Sequence, residues 1–521
     1  MSVPLPHALA GLLSPDAYAH PAGSVELVET HISWVLLAGE FAYKIKRPVR
    51  YPFVDLRSPE RRRWLCEEEL RLNRRFAPEI YLDLWGIVHG GGAARMGPPQ
   101  GCEEYAVRMR RFARAEELDR LLDARRIEPD DLEVFGRALA EIHAQLPIVP
   151  AGARWGEPSE VQAMLVRNLE ECAAAAAIFD ASRAILALRA ALESRLAATA
   201  PVMAARREAG RVRECHGDLH CGNVVRLGGA LVPFDCLEYE PRFRWIDVAD
   251  EIAFLASDLA ARGFPRHAQA FRGGYLAQSG DYLGCRVLAL YEAHRALVRA
   301  KVAALSAAPI ADPRAREGLQ LEHRRRIAYA AQTLAPHTPR LLLMSGLSGS
   351  GKTWLARRLA ERLSAVHIRS DVERKRRAGL RELASSRSDV AQGLYSQEAS
   401  DAVYGDLARA AEDILCGGIT AVVDAAFLRQ AQRLRFAALA GRLGVPIALM
   451  RCDAPAAVLR ARILDRVHTR NDASEADLSV LEWQMAHRER VTPGEAIPVI
   501  EIDTTRDDVL ERAVNYDAAA P

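Results

Sequence analysis

The chain has 521 residues, and 50% of them are hydrophobic, which is enough for about two to four ordinary domains and argues against a single one. The chain has 70 Lys and Arg and 68 Asp and Glu, so its net charge is +2. This value excludes an overall positive potential that would bind nucleic acid or an anionic membrane. The nine cysteines include no C-x-x-C pair, and no basic leader or stretch of roughly 20 apolar residues is present. We therefore expect a cytoplasmic protein with reduced thiols and no membrane partner.

The first part of the chain predicts a small lobe that contains β-structure. The segment VELVETHISWVLLAGEFAYKIKRPV favours two antiparallel strands with a hairpin turn at residues 38–40. Ser58 as a cap and Pro59 at the first helical position predict a helix that ends before Pro78. The segment EYAVRMRRF predicts a further strand, so we place the small lobe at about residues 20–112.

A longer helical region follows. Ala and Leu recur at helical spacing over residues 131–200, and helical spacing returns over 245–334 around a short strand-and-loop insert. These patterns predict a helical lobe at about 113–335. Two prolines interrupt the pattern between residues 333 and 339, where we place the boundary between a first domain, 1–335, and a second, 340–521.

The insert contains the richest polar cluster of the chain, CHGDLHCGN. Gly228-Gly229 predicts a two-residue hairpin turn, which would place Asn223 opposite Phe234 and bring Asp235 beside Asn223. Two oxygen ligands would then converge, as Mg²⁺ requires. Asp218 precedes Asn223 by five residues, which matches the H-x-D-x-x-x-x-N spacing of kinase catalytic loops.

The pattern H-G-D-x-H-x-G-N followed by a strand-end Asp resembles the aminoglycoside phosphotransferase family and its choline- and homoserine-kinase relatives. The resemblance covers about residues 25–325 and implies a bilobal, protein-kinase-like fold that uses ATP and Mg²⁺. It further implies that Asp218 is the catalytic base and that Asn223 and Asp235 bind magnesium. His216 would support the loop structurally.

Two other interpretations of the same cluster are less favoured. The spacing of Cys215, His216, His220 and Cys221 is unlike that of zinc sites. A purely structural loop would not explain why two independent spacings agree with one mechanism.

The resemblance also requires a lysine for the phosphates of ATP. The segment FAYK matches the kinase V-A-I-K pattern and points to Lys44, although Lys46 shares its face of the strand and a solvated basic edge would give the same alternation. The usual partner is a glutamate of the next helix, for which we favour Glu69 over Glu67 and Glu68. No G-x-G-x-x-G precedes Lys44, which argues more against protein-kinase activity than against the fold.

After the boundary, GLSGSGKT fits the P-loop pattern G-x-x-x-x-G-K-[ST] between an apolar strand and a predicted helix. Glycines let backbone N–H groups surround phosphate oxygens, a lysine reaches the β- and γ-phosphates, and a hydroxyl can ligate magnesium. The predicted nucleotide-binding residues are Gly346, Ser348, Gly349, Ser350, Gly351, Lys352 and Thr353. Lys352 is also a predicted catalytic residue, as is Lys44, and Thr353 is the predicted magnesium ligand.

Two acidic residues lie at predicted strand ends of this second domain, where ligands of open α/β sheets collect. Asp371 could accept the proton of an acceptor hydroxyl, with Arg374 binding the acceptor; a helix cap with a solvated basic face is the alternative. Asp424 could orient magnesium through water, or merely cap a strand.

Three arginines recur at every fourth residue further on, at Arg462, Arg466 and Arg470. On a helix they share one face, where Arg462 and Arg466 could neutralise phosphates as part of a lid, although a solvated helix would look the same. The domain as a whole resembles the small P-loop kinases, which include gluconate kinase, zeta-toxin-like kinases and polynucleotide kinase. This resemblance covers about residues 340–515.

Together these patterns predict an α/β and α+β protein: a bilobal kinase-like domain followed by a parallel β-sheet flanked by helices. The leading hypothesis is an ATP-dependent phosphotransferase with two modules, each acting on a hydroxyl of a small molecule. One alternative makes one module a regulatory nucleotide switch. Another makes the second module a nucleic-acid end kinase, because residues 374–377 form a basic run.

Overall fold

The computed structural model describes residues 5–51, 54–90, 93–385, 393–469 and 472–515. The chain divides into two compact units. The first unit comprises Met1–Asp131, Glu141–Val161 and Arg207–Asp258. The second unit comprises Leu132–Ala140, Gln162–Arg206 and Leu259–Pro521.

The strands and helices of the described residues are as follows. The strands are β1 Glu26–Glu29, β2 Ser33–Ala38, β3 Phe41–Lys46, β4 Arg50–Tyr51, β5 Val54–Asp55, β6 Tyr81–Gly90, β7 Ala93–Gly97, β8 Glu104–Arg110, β9 Val212–Glu214, β10 Val224–Leu227, β11 Ala230–Pro233, β12 Trp245–Asp247, β13 Leu341–Ser345, β14 Val366–Arg369, β15 Ala421–Asp424, β16 Ile447–Asp453 and β17 Val499–Asp503. The helices are α1 Pro59–Asn73, α2 Leu118–Asp123, α3 Pro129–Gln145, α4 Pro158–Ala175, α5 Ser182–Leu186, α6 Arg189–Glu208, α7 Val248–Ala261, α8 Pro265–Ser279, α9 Cys285–Ala307, α10 Pro313–Leu334, α11 Lys352–Leu363, α12 Ser370–Arg377, α13 Gln397–Cys416, α14 Gln430–Leu443, α15 Ala456–Thr469, α16 Leu478–His487 and α17 Val509–Asn515.

The first unit is built on a six-stranded antiparallel sheet with the order β1-β2-β3-β8-β6-β7. Trp34, Leu36, Tyr43 and Ile45 pack into one core on one face of this sheet. Because side chains alternate along a strand, Lys44 and Lys46 of β3 point to the opposite face. Helix α1 lies on that face and supplies buried Cys66 and Leu70.

The segment predicted as two strands forms three. A turn interrupts it after β1, where Thr30 Oγ1 accepts a hydrogen bond from the Ser33 backbone N–H at 2.9 Å and the Thr30 N–H donates to the Ser33 carbonyl at 2.9 Å. This local side-chain bond competes with the ladder and redirects the chain. The predicted hairpin between β2 and β3 and the predicted helix from Pro59 are both present.

The two-residue hairpin turn is also present. Gly228 and Gly229 have φ values of +55° and +89°, which L side chains rarely adopt, and they join β10 to β11 with Val224 opposite Pro233. The Phe234 N–H donates to the Asn223 carbonyl at 2.9 Å, so the predicted pairing of Asn223 with Phe234 is confirmed.

The second unit combines long helices with a five-stranded parallel sheet of order β14-β15-β13-β16-β17. After residue 340, apolar runs alternate with helical segments, which predicts a parallel sheet. These runs, RLLLMS, TAVVDAAF, IALMRCD and VIEID, form β13, β15, β16 and β17, and the α/β and α+β fold class is confirmed. Helices from both sides of residue 340 pack together in this unit: the Tyr282 hydroxyl donates to Glu373 of α12 at 2.7 Å, and Arg286 of α9 pairs with Asp413 of α13 at 2.7 Å. None of the helices formed by the described residues has both the length and the apolar content needed to cross a bilayer.

Candidate active sites

The first site begins with a chain of buried ion pairs between strand β3 and helix α1. Lys44 Nζ lies 2.7 Å from Glu69 Oε1 and 2.5 Å from Asp235 Oδ1. Lys46 Nζ lies 2.6 Å from the other oxygen of Glu69 and 2.5 Å from Glu238 Oε1. Both lysines of the alternating pattern therefore contact Glu69, but it is Lys44 that also reaches Asp235.

The three candidate glutamates differ in the residues with which they form ion pairs. Glu67 pairs with Arg63 on the surface, whereas Glu68 pairs with Arg71 and Arg244. Glu69 is fully buried; burial raises the pKa of this carboxyl, but the two lysine ammoniums outweigh that effect and the pKa lies below its ordinary value. Glu69 is therefore ionised at neutral pH.

The loop between β9 and β10 brings together the other predicted residues. The Asn223 side-chain amide donates to the Asp218 carboxylate at 3.1 Å and to the Asp218 carbonyl at 2.9 Å. Asp218 remains 40% exposed, so the carboxylate can meet a substrate from solvent. His216 Nε2 lies 2.8 Å from the Phe234 carbonyl, and burial lowers the pKa of this histidine to about 4, so a neutral ring links the loop to the hairpin.

The carboxylate that holds this loop was not among the predicted site residues. Glu251 of α7 is fully buried and accepts the backbone N–H groups of His216 at 2.6 Å and of Gly217 at 3.0 Å. Asp258 of the same chain segment accepts the Cys221 N–H at 2.9 Å. The acidic pair Asp250-Glu251 inside the otherwise apolar run VADEIAFLA was the available signal, because a buried carboxylate needs hydrogen-bond donors.

Replacing Glu251 with Gln should lower the free energy of unfolding by about 2 to 3 kcal/mol, because a buried amide presents an NH₂ group to one of the two N–H donors. Urea denaturation measures this loss, and hydrogen exchange should rise at residues 216–217. The same change at exposed Glu208 is the control and should leave both measurements unaltered. An equal, small effect of both substitutions would contradict the assigned role.

The zinc alternative finds no support in the geometry. Among the described residues, the side chains close enough to share a metal ion are His143, Cys215 and Glu251, rather than the four of the motif. Burial lowers the pKa of His143 to about 3 and raises that of Cys215 well above its ordinary value, so the thiol stays protonated. Glu251, the third member of this group, already accepts two backbone N–H groups through its two oxygens.

The second site lies at the carboxyl end of the parallel sheet. The loop of residues 346–351 joins β13 to α11, and a Cβ added to Gly349 would lie 2.6 Å from the Leu459 carbonyl at a φ of +79°. Only glycine fits there without displacing α15. The helix that follows begins with Lys352 and Thr353, so its N-terminus and free N–H groups face the loop.

Asp424 ends β15 directly beside this loop, in register with Met344 of β13. Burial raises its pKa, but the hydrogen bond with His367 at 3.3 Å and the charge of Lys352 outweigh that effect and bring the pKa to about 2. Within the described part of the chain, Asp424 Oδ1 and Ser350 Oγ are buried and have no hydrogen-bond partner. Buried oxygen atoms without partners, beside a glycine-rich loop, suit a hydrated Mg²⁺ bound with a nucleotide.

Asp371 lies in the first turn of α12, where the chain leaves β14. Burial raises the pKa of Tyr404 to about 12, and the negative charges of Asp371 and Asp424 act in the same direction. Arg374 does not stand free: it donates to the Leu394 carbonyl at 2.6 Å and stacks over Tyr395 at 4.8 Å.

The arginines predicted to share one helix face have different partners in the structure. Arg462 of α15 donates to the Gly349 carbonyl at 3.3 Å and to Thr504 at 2.9 Å, which places it against the P-loop. Arg466 donates to the Ala476 carbonyl at 2.6 Å. Arg470 lies outside the described residues.

A second residue missed by sequence reasoning contacts the P-loop. Gln484 of α16 accepts the Ser348 backbone N–H through Oε1 at 2.8 Å. A backbone N–H of this loop is the type of donor that binds a phosphate oxygen. The Gln484 side chain therefore accepts a hydrogen bond from a backbone N–H that a bound nucleotide would use.

Removal of this side chain in Gln484→Ala should raise the affinity of the second site for ATP about threefold to tenfold, because a competing hydrogen bond is lost. Isothermal titration with MgATP measures the change. Glu482→Ala, on the same helix but 66% exposed, is the control and should leave the affinity unchanged. A weaker affinity in Gln484→Ala would mean that the amide helps to bind the nucleotide.

Comparisons with known proteins match both parts of the chain. A model described as a phosphotransferase enzyme family matches residues 56–288, and one described as an AAA domain matches residues 341–491. The uncharacterized protein Rv2004c of Mycobacterium tuberculosis strain H37Rv is 30% identical over 478 residues, which cover 90% of this chain and 93% of the mycobacterial one. The chain belongs to the same family as this protein. Uncharacterized protein Mb2027c of Mycobacterium bovis shows the same identity and coverage.

Both mycobacterial relatives are uncharacterized, and the two matched models show a phosphotransferase-family region followed by an AAA-domain region. Both predicted resemblances are thereby confirmed. Among solved structures, a choline/ethanolamine kinase family protein from Mesorhizobium loti is 14% identical, covers 60% of this chain and 94% of its own, and has a TM-score of 0.32. A sugar kinase from Janibacter sp. HTCC2649 is 21% identical, covers 35% and 96%, and has a TM-score of 0.28.

Proposed function

We propose that the chain is an ATP-dependent phosphotransferase with two sites, each of which transfers the γ-phosphate of ATP to a hydroxyl group of a small molecule. The observation that carries the proposal is that each unit contains its own lysine for phosphate and its own carboxylates beside it. The first unit has Lys44 between Glu69 and Asp235, with Asn223 bonded to Asp218. The second has a P-loop with Lys352 and a buried, ionised Asp424 beside it.

In the first site, Asp218 is proposed as the base. It receives the proton of the acceptor hydroxyl while the acceptor oxygen bonds to the γ-phosphorus and the bond to the β-phosphate oxygen breaks, which leaves ADP. Lys44 holds the phosphates, and Glu69 fixes the lysine. Asn223 and Asp235 would hold Mg²⁺, which neutralises phosphate charge when bound.

In the second site, Asp371 is proposed as the base, and the loop of residues 346–351 as the phosphate cradle. Lys352 holds the β- and γ-phosphates, and Arg462, which already touches Gly349, adds positive charge at the same loop. Thr353 and Asp424 would hold Mg²⁺, the former directly and the latter through water. Arg466 remains a proposed lid residue.

The basic run of α12 gives little support to a nucleic-acid end kinase. All four cations of this run donate to groups of the protein itself. Arg374 and Lys375 donate to backbone carbonyls, those of Leu394 and, at 2.8 Å, Glu382. Arg376 and Arg377 donate to carboxylates, those of Glu373 and, at 2.9 Å, Asp406. Cations with internal partners attract phosphate backbones less than free ones do. Small-molecule acceptors therefore remain the proposal.

The proposal is tested by incubating the protein with ATP and a cell metabolite extract and identifying new phosphorylated products by mass spectrometry. Asp218→Asn and Lys352→Ala are run in parallel. Two independent sites predict that each variant loses a different product, whereas a regulatory switch predicts that each variant loses every product. The proposal fails if ATP stays intact and no product forms with the extract or with a panel of sugars, amino alcohols and nucleosides.

A further inference from the structure

We propose that Lys46 is a positioning residue that ties the loop of residues 235–238 to strand β3, and so holds the Asp235 carboxylate where Mg²⁺ and ATP need it. The inference rests on the proposed function of the first site and deepens it. Lys46 itself would touch neither the nucleotide nor the metal ion.

The loop is fixed by its backbone at three successive residues. The Asp235 N–H donates to the Tyr81 hydroxyl at 3.0 Å, the Cys236 N–H to Asn73 Oδ1 at 2.8 Å, and the Leu237 N–H to the His216 carbonyl at 3.0 Å. Asp235 has a φ of +63°, a conformation that costs free energy for a residue with a side chain. A strained residue persists only where its surroundings determine its conformation.

Two side-chain ion pairs join this loop to β3. Lys44 holds Asp235, and Lys46 holds Glu238 at 2.5 Å, with side-chain exposures of 0% for the lysine and 4% for the glutamate. The first pair cannot keep its present form during catalysis, because Lys44 would turn to phosphate and Asp235 to the metal ion. Lys46 and Glu238 bind neither phosphate nor metal ion, so their ion pair can persist when ATP and Mg²⁺ occupy the site.

Lys46 also keeps Glu69 in place. Its ammonium forms an ion pair with Glu69 Oε2 at 2.6 Å while Lys44 donates a hydrogen bond to Oε1, so each carboxylate oxygen lies beside a positive charge. A glutamate fixed in this way still points at Lys44 when that lysine moves to the phosphates. This arrangement is the physical basis for assigning Lys46 to positioning rather than to packing.

A simpler explanation is that Lys46 only balances buried charge, and the two explanations predict opposite results. Counted with every group ionised, the two lysines and three carboxylates of this cluster have a net charge of −1; they are Lys44, Lys46, Glu69, Asp235 and Glu238. Lys46→Met makes the sum −2, which by charge alone would strengthen Mg²⁺ binding. The double variant Lys46→Met/Glu238→Gln restores −1, so by charge alone it would leave Mg²⁺ binding unchanged.

The experiment uses full-length protein carrying Lys352→Ala, so that binding reports the first site. The Mg²⁺ concentration that half-saturates binding of a fluorescent, non-hydrolysable ATP analogue is measured for this parent and for both variants. Positioning predicts that this concentration rises about tenfold or more in each variant, as when groups that orient metal ligands are removed. An unchanged value in the double variant, or a lower value in Lys46→Met, overturns the inference.

A second measurement needs no nucleotide or metal. Hydrogen exchange at the amides of residues 235–237 should be faster in the double variant and in Glu238→Met, which removes the oxygen that accepts from Lys46 but keeps Lys46 paired with Glu69. Equal exchange in the parent and in Glu238→Met overturns the inference even if the other variants fold poorly. Arg433→Met/Glu495→Gln removes a comparably buried pair of the second unit and is the control for general destabilisation; it should change neither measurement.

The parent protein separates this inference from the proposed function. A parent that binds no ATP analogue at any Mg²⁺ concentration overturns the proposed function of the first site. A parent that binds, with a double variant that binds equally well, overturns the role of Lys46 alone.

Discussion

Replacing Asp218 with Asn should reduce the rate of phosphate transfer at the first site about 100- to 10,000-fold, because an amide cannot accept the proton of the acceptor hydroxyl. The substitution keeps the size of the side chain, and the Asn223 amide can still donate to the oxygen of residue 218. The KM for ATP should therefore change little while kcat falls. Steady-state kinetics with the first-site acceptor found in the metabolite extract separates the two constants.

Asp83→Asn is a matched control for this change. Asp83 is 44% exposed, close to the 40% of Asp218, and it pairs with Arg108 on the sheet of the same unit. Surface pairs of this kind contribute little to stability, so the control should retain full activity. If Asp218→Asn retained a rate similar to that of the control, Asp218 would not be the base.

Lys352→Ala should weaken ATP binding at the second site about 100-fold and abolish its phosphate transfer. The lysine side chain contributes the charge that the β- and γ-phosphates need, and charge-assisted hydrogen bonds are about twice as strong as neutral ones. The backbone N–H groups of residues 346–351 would remain, which is why some affinity should persist. Titration calorimetry with MgATP gives the affinity, and product analysis gives the transfer.

The control for this prediction is Lys301→Ala, which removes a lysine of the same unit from a surface pair with Glu171. It should leave both ATP affinity and transfer as in the wild type. The first site should still form its own phosphorylated product in Lys352→Ala. Loss of both products would favour a nucleotide switch over two independent sites.

Much of the first site was predictable because its key geometry is local. Gly228 and Gly229 select one turn and therefore one register, so the position of Asn223 against Phe234 follows from counting residues. The pairing of Lys44 with a glutamate of α1 followed from the kinase-like pattern, and Glu69 is the one that the structure buries against it.

Contacts between distant segments could not be predicted in the same way. Lys46 and Glu238 are 192 residues apart, and Gln484 and Ser348 are 136 apart, so no spacing rule links them. The apolar runs after residue 340 predicted parallel strands but not the order β14-β15-β13-β16-β17, which places Asp424 beside the P-loop. The order of a parallel sheet is set by packing of the connecting helices rather than by the strands themselves.

The stoichiometry of nucleotide binding tests the two-site account most directly. Titration calorimetry of the full-length protein with a non-hydrolysable ATP analogue and Mg²⁺ should give two nucleotides per chain. Lys352→Ala and Lys44→Ala should each give one at the same concentrations. A wild-type value of one, or a value that neither substitution lowers, would contradict the presence of two separate nucleotide sites.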